Sequence, residues 1–86
     1  MIEREVVVSN RLGVHSRVAS ELARIALDYG SVYMVRHDEI IDCSSALEVL
    51  SLGLAYGAKI TIRTDGDLKK EAMAAVEVLL NRREDP

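Results

Sequence analysis

The sequence is poor in the residues on which several protein classes depend. Its single cysteine, Cys43, allows no internal disulfide, and a secreted domain of this size ordinarily carries several. There is no Phe or Trp and there are only three Tyr, so little is available to stack nucleobases, and a formal charge of −3 has the wrong sign for a phosphate backbone. No apolar run approaches the roughly 20 residues needed to cross a bilayer. The opening Met1-Ile2-Glu3-Arg4-Glu5 lacks the apolar stretch of a signal peptide. The only proline is Pro86, and no linker, repeat or low-complexity tract interrupts the chain. These absences point to a reduced, cytoplasmic protein with no nucleic-acid partner and no membrane insertion.

What is present is ordinary globular material, 49% hydrophobic and 29% charged over 86 residues. That length predicts one domain, residues 1–86. A chain so short buries only about 60–65% of its unfolded surface, which leaves little room for a deep active-site cavity.

The patterning predicts seven elements. Alternation at Ile2-Glu3-Arg4-Glu5 followed by Val6-Val7-Val8 reads as a strand ending near Ser9. A Gly13-containing loop covers Asn10 to His15. Val18, Leu22, Ile25 and Tyr29 then recur at helical spacing, widened by Ala19, Ala23 and Ala26, and Gly30 supplies the stop. Val32 to Arg36 is a strand, His37-Asp38-Glu39 a turn, and Ile40-Ile41-Asp42 its short partner. Ser44 or Ser45 caps a brief helix from about Ala46 to Leu52, closed by Gly53. Ala58, Ile60 and Ile62 alternate with polar residues as a half-buried strand. Asp67 is placed to cap a last helix whose buried face is Leu68, Ala72, Ala75, Val76 and Leu79. The order βαββαβα, with strands polar on one face, predicts a two-layer α+β fold: an antiparallel sheet wet on one side and covered by helices on the other.

The segment most able to carry chemistry is Leu12-Gly13-Val14-His15-Ser16-Arg17-Val18-Ala19. His15 falls where a loop meets a helix start, and the amides that follow it form the positive end of a helix dipole, a ready anion site. Arg17 adds a guanidinium fork that matches phosphate oxygens. A neutral imidazole is nucleophilic near pH 7, and phosphoryl transfer asks mainly for positioning and charge stabilisation. The same residues equally describe a loop end followed by a solvated first-turn arginine.

Gly13-Val14-His15-Ser16-Arg17 resembles the Gly-x-His-x-Arg signature of the HPr family, the histidine-containing phosphocarriers of the bacterial phosphoenolpyruvate-dependent phosphotransferase system. Ser45-Ala46-Leu47-Glu48-Val49-Leu50-Ser51-Leu52-Gly53 is similar to the family's regulatory serine helix, and the resemblance extends over essentially the whole chain, fitting either the sugar-transport or the nitrogen-related branch of the family. It implies an open-faced β-sandwich, a four-stranded antiparallel sheet covered on one side by three helices. It implies that His15 takes a phosphoryl group on Nδ1 from phosphorylated enzyme I and passes it to EIIA-type proteins, in sugar uptake or its regulation. Arg17 and the amides of Ser16, Arg17 and Val18 would hold the phosphoryl oxygens, with no cofactor and no metal. Val18 stands where the family commonly has Pro; it restores an N–H and loosens the first turn.

By the same resemblance Ser45 is the regulatory phosphorylation position, served by HPr kinase/phosphorylase, although its local sequence describes a helix cap equally well. The short helix has more apolar residues than one face can bury. Val49 and Leu52 are best placed for the core, leaving Ala46, Leu47 and Leu50 partly exposed near Arg17 as a partner surface, with Arg24 beside it. Glu48 and Leu27 replace basic residues that some members place there. His37, next to Asp38 and Glu39, has no metal-ligand spacing, Cys43 reads as a packed side chain, and Arg82-Arg83-Glu84-Asp85 reads as a frayed tail. The expectation is a monomeric phosphoryl carrier rather than an enzyme. The competing class is a regulatory binding module of the same fold that acts through Leu47 and Leu50 without carrying phosphate.

Overall fold

The computed structural model describes residues 1–83. In chain order it contains β1 (Ile2–Val7), α1 (Ser16–Tyr29), β2 (Val32–Arg36), β3 (Glu39–Asp42), α2 (Ala46–Ser51), β4 (Lys59–Thr64) and α3 (Lys69–Asn81). The strands form one antiparallel sheet in the order β1-β4-β2-β3, which puts the last strand between β1 and the β2–β3 hairpin. This is the βαββαβα open sheet with three helices.

Register sorts the side chains. Val6, Ile60, Ile62, Thr64, Val32, Met34 and Ile41 face the helices and are buried. On the far face Glu3 lies opposite Arg63 and binds its Nε at 2.6 Å. The helix layer is continuous: α3 lies against β1 and β4, α2 reaches β3, and α1 packs on both α2 and α3. The predicted stripe of α1 goes inward, with Val18, Ala19 and Leu22 wholly buried and Ile25 and Tyr29 packed at the margin. Each large apolar side chain so buried contributes about 1.5–3 kcal/mol. Gly30 ends the helix at φ +107°, a conformation that disfavours any residue with a Cβ.

The sequence reading is wrong at the start of α3. Asp67 does not cap it, and Leu68, expected inside, occupies the cap position with 42% exposure and no side-chain bond. The preceding turn makes an aspartate cap unnecessary: Gly66 takes φ +96° and its carbonyl accepts the Lys69 N–H at 3.3 Å. Buried Thr64 then donates Oγ1 to the Lys69 carbonyl at 2.8 Å, pinning the first turn to the end of β4. Smaller differences lie at boundaries: β1 ends at Val7, β3 begins at Glu39, and α2 ends at Ser51 with Leu52 as its C-cap.

Arg82 is also no frayed end. It is half-buried, and its Nη2 binds Glu21 Oε2 of α1 at 2.5 Å. Glu84 and Asp85 lie outside the described residues. Among the described residues, no helix is long and apolar enough to cross a membrane.

Candidate functional site

His15 is the N-cap residue of α1, with extended backbone (φ −87°, ψ −176°). Its carbonyl accepts the first intrahelical bond, from Ala19 N–H at 2.9 Å, so the amides of Ser16, Arg17 and Val18 precede the helical ladder. Its Nδ1 accepts from the Arg17 N–H at 3.4 Å, a long bond at an exposed position. An accepting Nδ1 carries a lone pair and no proton, so the ring proton belongs on Nε2. The first turn of α1 contains no acidic residue, leaving its dipole uncompensated by any carboxylate of its own.

The loop that delivers His15 is fixed from outside. Val14, buried, donates its N–H to the Leu54 carbonyl at 2.8 Å, just beyond α2. Gly13 takes φ +73°, and a Cβ there would lie 2.5 Å from the Leu54 oxygen and 3.0 Å from Ala55 Cα, so only glycine fits. Asn10 was not singled out from sequence, yet it is wholly buried. Its Nδ2 donates to the carbonyls of Leu79 at 3.0 Å and Arg82 at 2.9 Å, tying the loop to the end of α3. The only advance signal for it was a polar residue two places after a valine run.

Arg17 and Arg24 share one face of α1 and line a shallow depression with Ser16, Ser20 and Glu21. Ser45, rather than Ser44, caps α2; its Oγ accepts from Glu48 N–H at 3.3 Å. The exposed apolar set divides. Leu47 protrudes at 79% exposure, whereas Ala46 and Leu50 are half-buried and packed against the core, and Val49 and Leu52 are buried. Leu50 is therefore less of a surface residue than its place in the sequence suggested, because a six-residue helix wedged between α1 and β3 has two covered sides.

The remaining candidates stand apart. His37 sits exposed at the β2–β3 turn with φ +56°, and no His, Cys, Asp and Glu grouping among the described residues could hold a metal. The Cys43 thiol is pushed up to about 12 by burial, with the charge of Asp42 adding to the effect.

Comparison with known proteins defines the class. A family profile described as "PTS HPr component phosphorylation site" matches residues 2–82. The chain belongs to the HPr family of phosphocarrier proteins of the phosphotransferase system. It is 33% identical to phosphocarrier protein HPr of Cupriavidus necator over 84 residues, covering 96% of this chain and 94% of that one. It is 34% identical to phosphocarrier protein NPr of Klebsiella oxytoca over 82 residues, covering 93% and 91%. The fold matches that of HPr from Bacillus anthracis with a TM-score of 0.84 at 24% identity, over 92% of this chain and 95% of that one.

Proposed function

We propose that His15 is the residue on which this phosphocarrier bears its phosphoryl group. The observation that carries this reading is the direction of Nδ1, which faces the first-turn amides of an α-helix with no acid of its own there. An incoming phosphorus takes the Nδ1 lone pair, the bond to the donor nitrogen or oxygen breaks, and the ring keeps its Nε2 proton. The Arg17 N–H then moves from Nδ1 to a phosphoryl oxygen, and the amides of Ser16 and Val18 offer two further donors. The Arg17 guanidinium supplies the fixed positive charge that a transition state with charge spread over three oxygens requires. Weak capping is an advantage in this setting. A bond of 3.4 Å is given up readily when the anion arrives.

The donor is phosphorylated enzyme I and the acceptors are EIIA-type proteins, so the chain is substrate to one protein and donor to others rather than a catalyst that turns over. Partners dock on the face where Leu47 and Arg24 project, with Ala46 and Leu50 as its half-buried floor. Ser45 serves as the regulatory position for HPr kinase/phosphorylase, its hydroxyl exchanging a cap bond for phosphate oxygens at a helix start. The working protein is a cytoplasmic monomer of one domain, residues 1–86.

Incubation with phosphoenolpyruvate and enzyme I, followed by intact-mass measurement, tests the reading. The expected product carries one acid-labile phosphoryl group that is lost on addition of an EIIA-type protein. Acid-stable modification, or none, would refute it.

A further inference from the structure

Ser9, Arg11, Tyr56 and Arg83 line a cavity of about 320 Å³. They come from three segments: the loop ahead of His15, the connection between α2 and β4, and the chain beyond α3. Backbone bonds hold these segments together. Gly57 N–H donates to the Val8 carbonyl at 2.7 Å, Val8 N–H to Ala58 at 2.8 Å, and Ser9 N–H to Leu80 at 2.8 Å. Asn10 Nδ2 adds its bonds to Leu79 and Arg82. The fold thus holds the three segments together, with the Arg11, Tyr56 and Arg83 side chains exposed around the cavity.

Two of the four lining residues, Arg11 and Arg83, carry permanent positive charge. The ion pairs among the described residues engage Arg4, Arg63, Arg82 and the N-terminus, and none joins Arg11 or Arg83 to a carboxylate. Near the end of α3 the Leu79 and Leu80 carbonyls accept bonds from Asn10 Nδ2 and the Ser9 N–H, which seats Ser9 and the cavity against that helix end. Two permanent cations lining one small cavity repel each other, and an oxyanion between them removes that repulsion while taking the paired bonds a guanidinium fork offers. Ser9 and Tyr56 add hydroxyl donors. The volume falls at the small end of ligand pockets, which span about 300–1,000 Å³.

We propose that Arg11, Tyr56, Arg83 and Ser9 form an oxyanion-binding site, separate from His15, that takes a small phosphate or carboxylate ligand. It does not depend on the carrier reading. Its test is a titration of the isotope-labelled full chain with inorganic phosphate and, separately, acetate, at constant ionic strength. Amide signals of Ser9, Arg11 and Tyr56 report this cavity, and those of Ser16 and Val18 report the start of α1. Saturating shifts in the first set are expected. They should weaken at least about tenfold in Arg11→Gln/Arg83→Gln, the size of a lost charge-assisted bond, while any response at Ser16 and Val18 persists. Each single variant should lose part of the affinity, which keeps the test valid if the double variant folds poorly. Tighter saturation by phosphate assigns a phosphoryl ligand, and tighter saturation by acetate assigns a carboxylate. Shifts that stay linear for both anions, or saturation that the arginine variants retain, would overturn the site.

Discussion

The starts of α1 and α2 are built from the same device with opposite outcomes. In each, a side chain at the N-cap accepts an amide of the first turn: His15 from Arg17, Ser45 from Glu48. At α2 a carboxylate, Glu48, stands in the first turn and offsets the dipole, while α1 has no acid in its first turn. One helix start carries an acid in its own first turn and the other does not. The difference is one of local charge: a phosphate on Ser45 would meet Glu48 in the same first turn, whereas no first-turn acid of α1 opposes an anion at His15.

That contrast is broken most severely at His15. His15→Ala should take no phosphate from enzyme I, whereas His37→Ala, altered at an exposed turn, should label as the parent does; intact mass after incubation decides. Arg17→Ala should keep the acceptor and lose its positive charge, slowing transfer by about 10²–10³, the scale on which losing one oxyanion donor acts. A rapid-quench time course measures it, and an unchanged rate would assign the stabilisation to the amides alone. Within α2 the effect shifts from chemistry to stability. Val49→Ala, at a wholly buried position, should cost about 2 kcal/mol or more, and Leu47→Ala less than about 1 kcal/mol, by denaturant unfolding. Binding to enzyme I should rank the two the other way. Ser45→Asp should change least: melting near that of the parent, because a carboxylate can cap as a hydroxyl does, with slower transfer because the added charge must be desolvated on docking. Transfer at the parent's rate would leave Ser45 a cap and nothing more.

Features set by near neighbours were legible in the sequence. The α1 stripe, β2 from Val32 to Arg36 and a serine cap on α2 each depend on side chains within a turn or two, and the structure places them as read, choosing Ser45 over Ser44 for the cap. His15 belongs with them, since a glycine loop, a histidine and a helix start are contiguous. Asp67 failed for a reason periodicity does not contain: backbone bonds from Gly66 and the hydroxyl of Thr64 organise that start. Asn10 and Arg82 were missed because their partners lie far along the chain, Leu79 for the first and Glu21 for the second. No local pattern announces that a loop before α1 will be held by the carbonyls of α3.

Cys43 gives the protein a gauge of its own opening. A thiol with no exposed surface, pushed up to about 12, offers almost no thiolate to an alkylating reagent at neutral pH while the core is closed. It follows the edge strand β3, its N–H bonded to the Val32 carbonyl at 2.9 Å, and its side chain lies in the core, so exposing the sulfur requires that edge of the core to open. The labelling rate at low reagent then counts the fraction of molecules open at any moment. As pH rises from the ordinary thiol value near 9 towards 12, the open chain ionises first and the closed state loses ground, so labelling should accelerate more steeply than for a small-molecule thiol. Phosphorylated and unphosphorylated carrier can be compared by this one chemical clock, without a probe attached at either helix start.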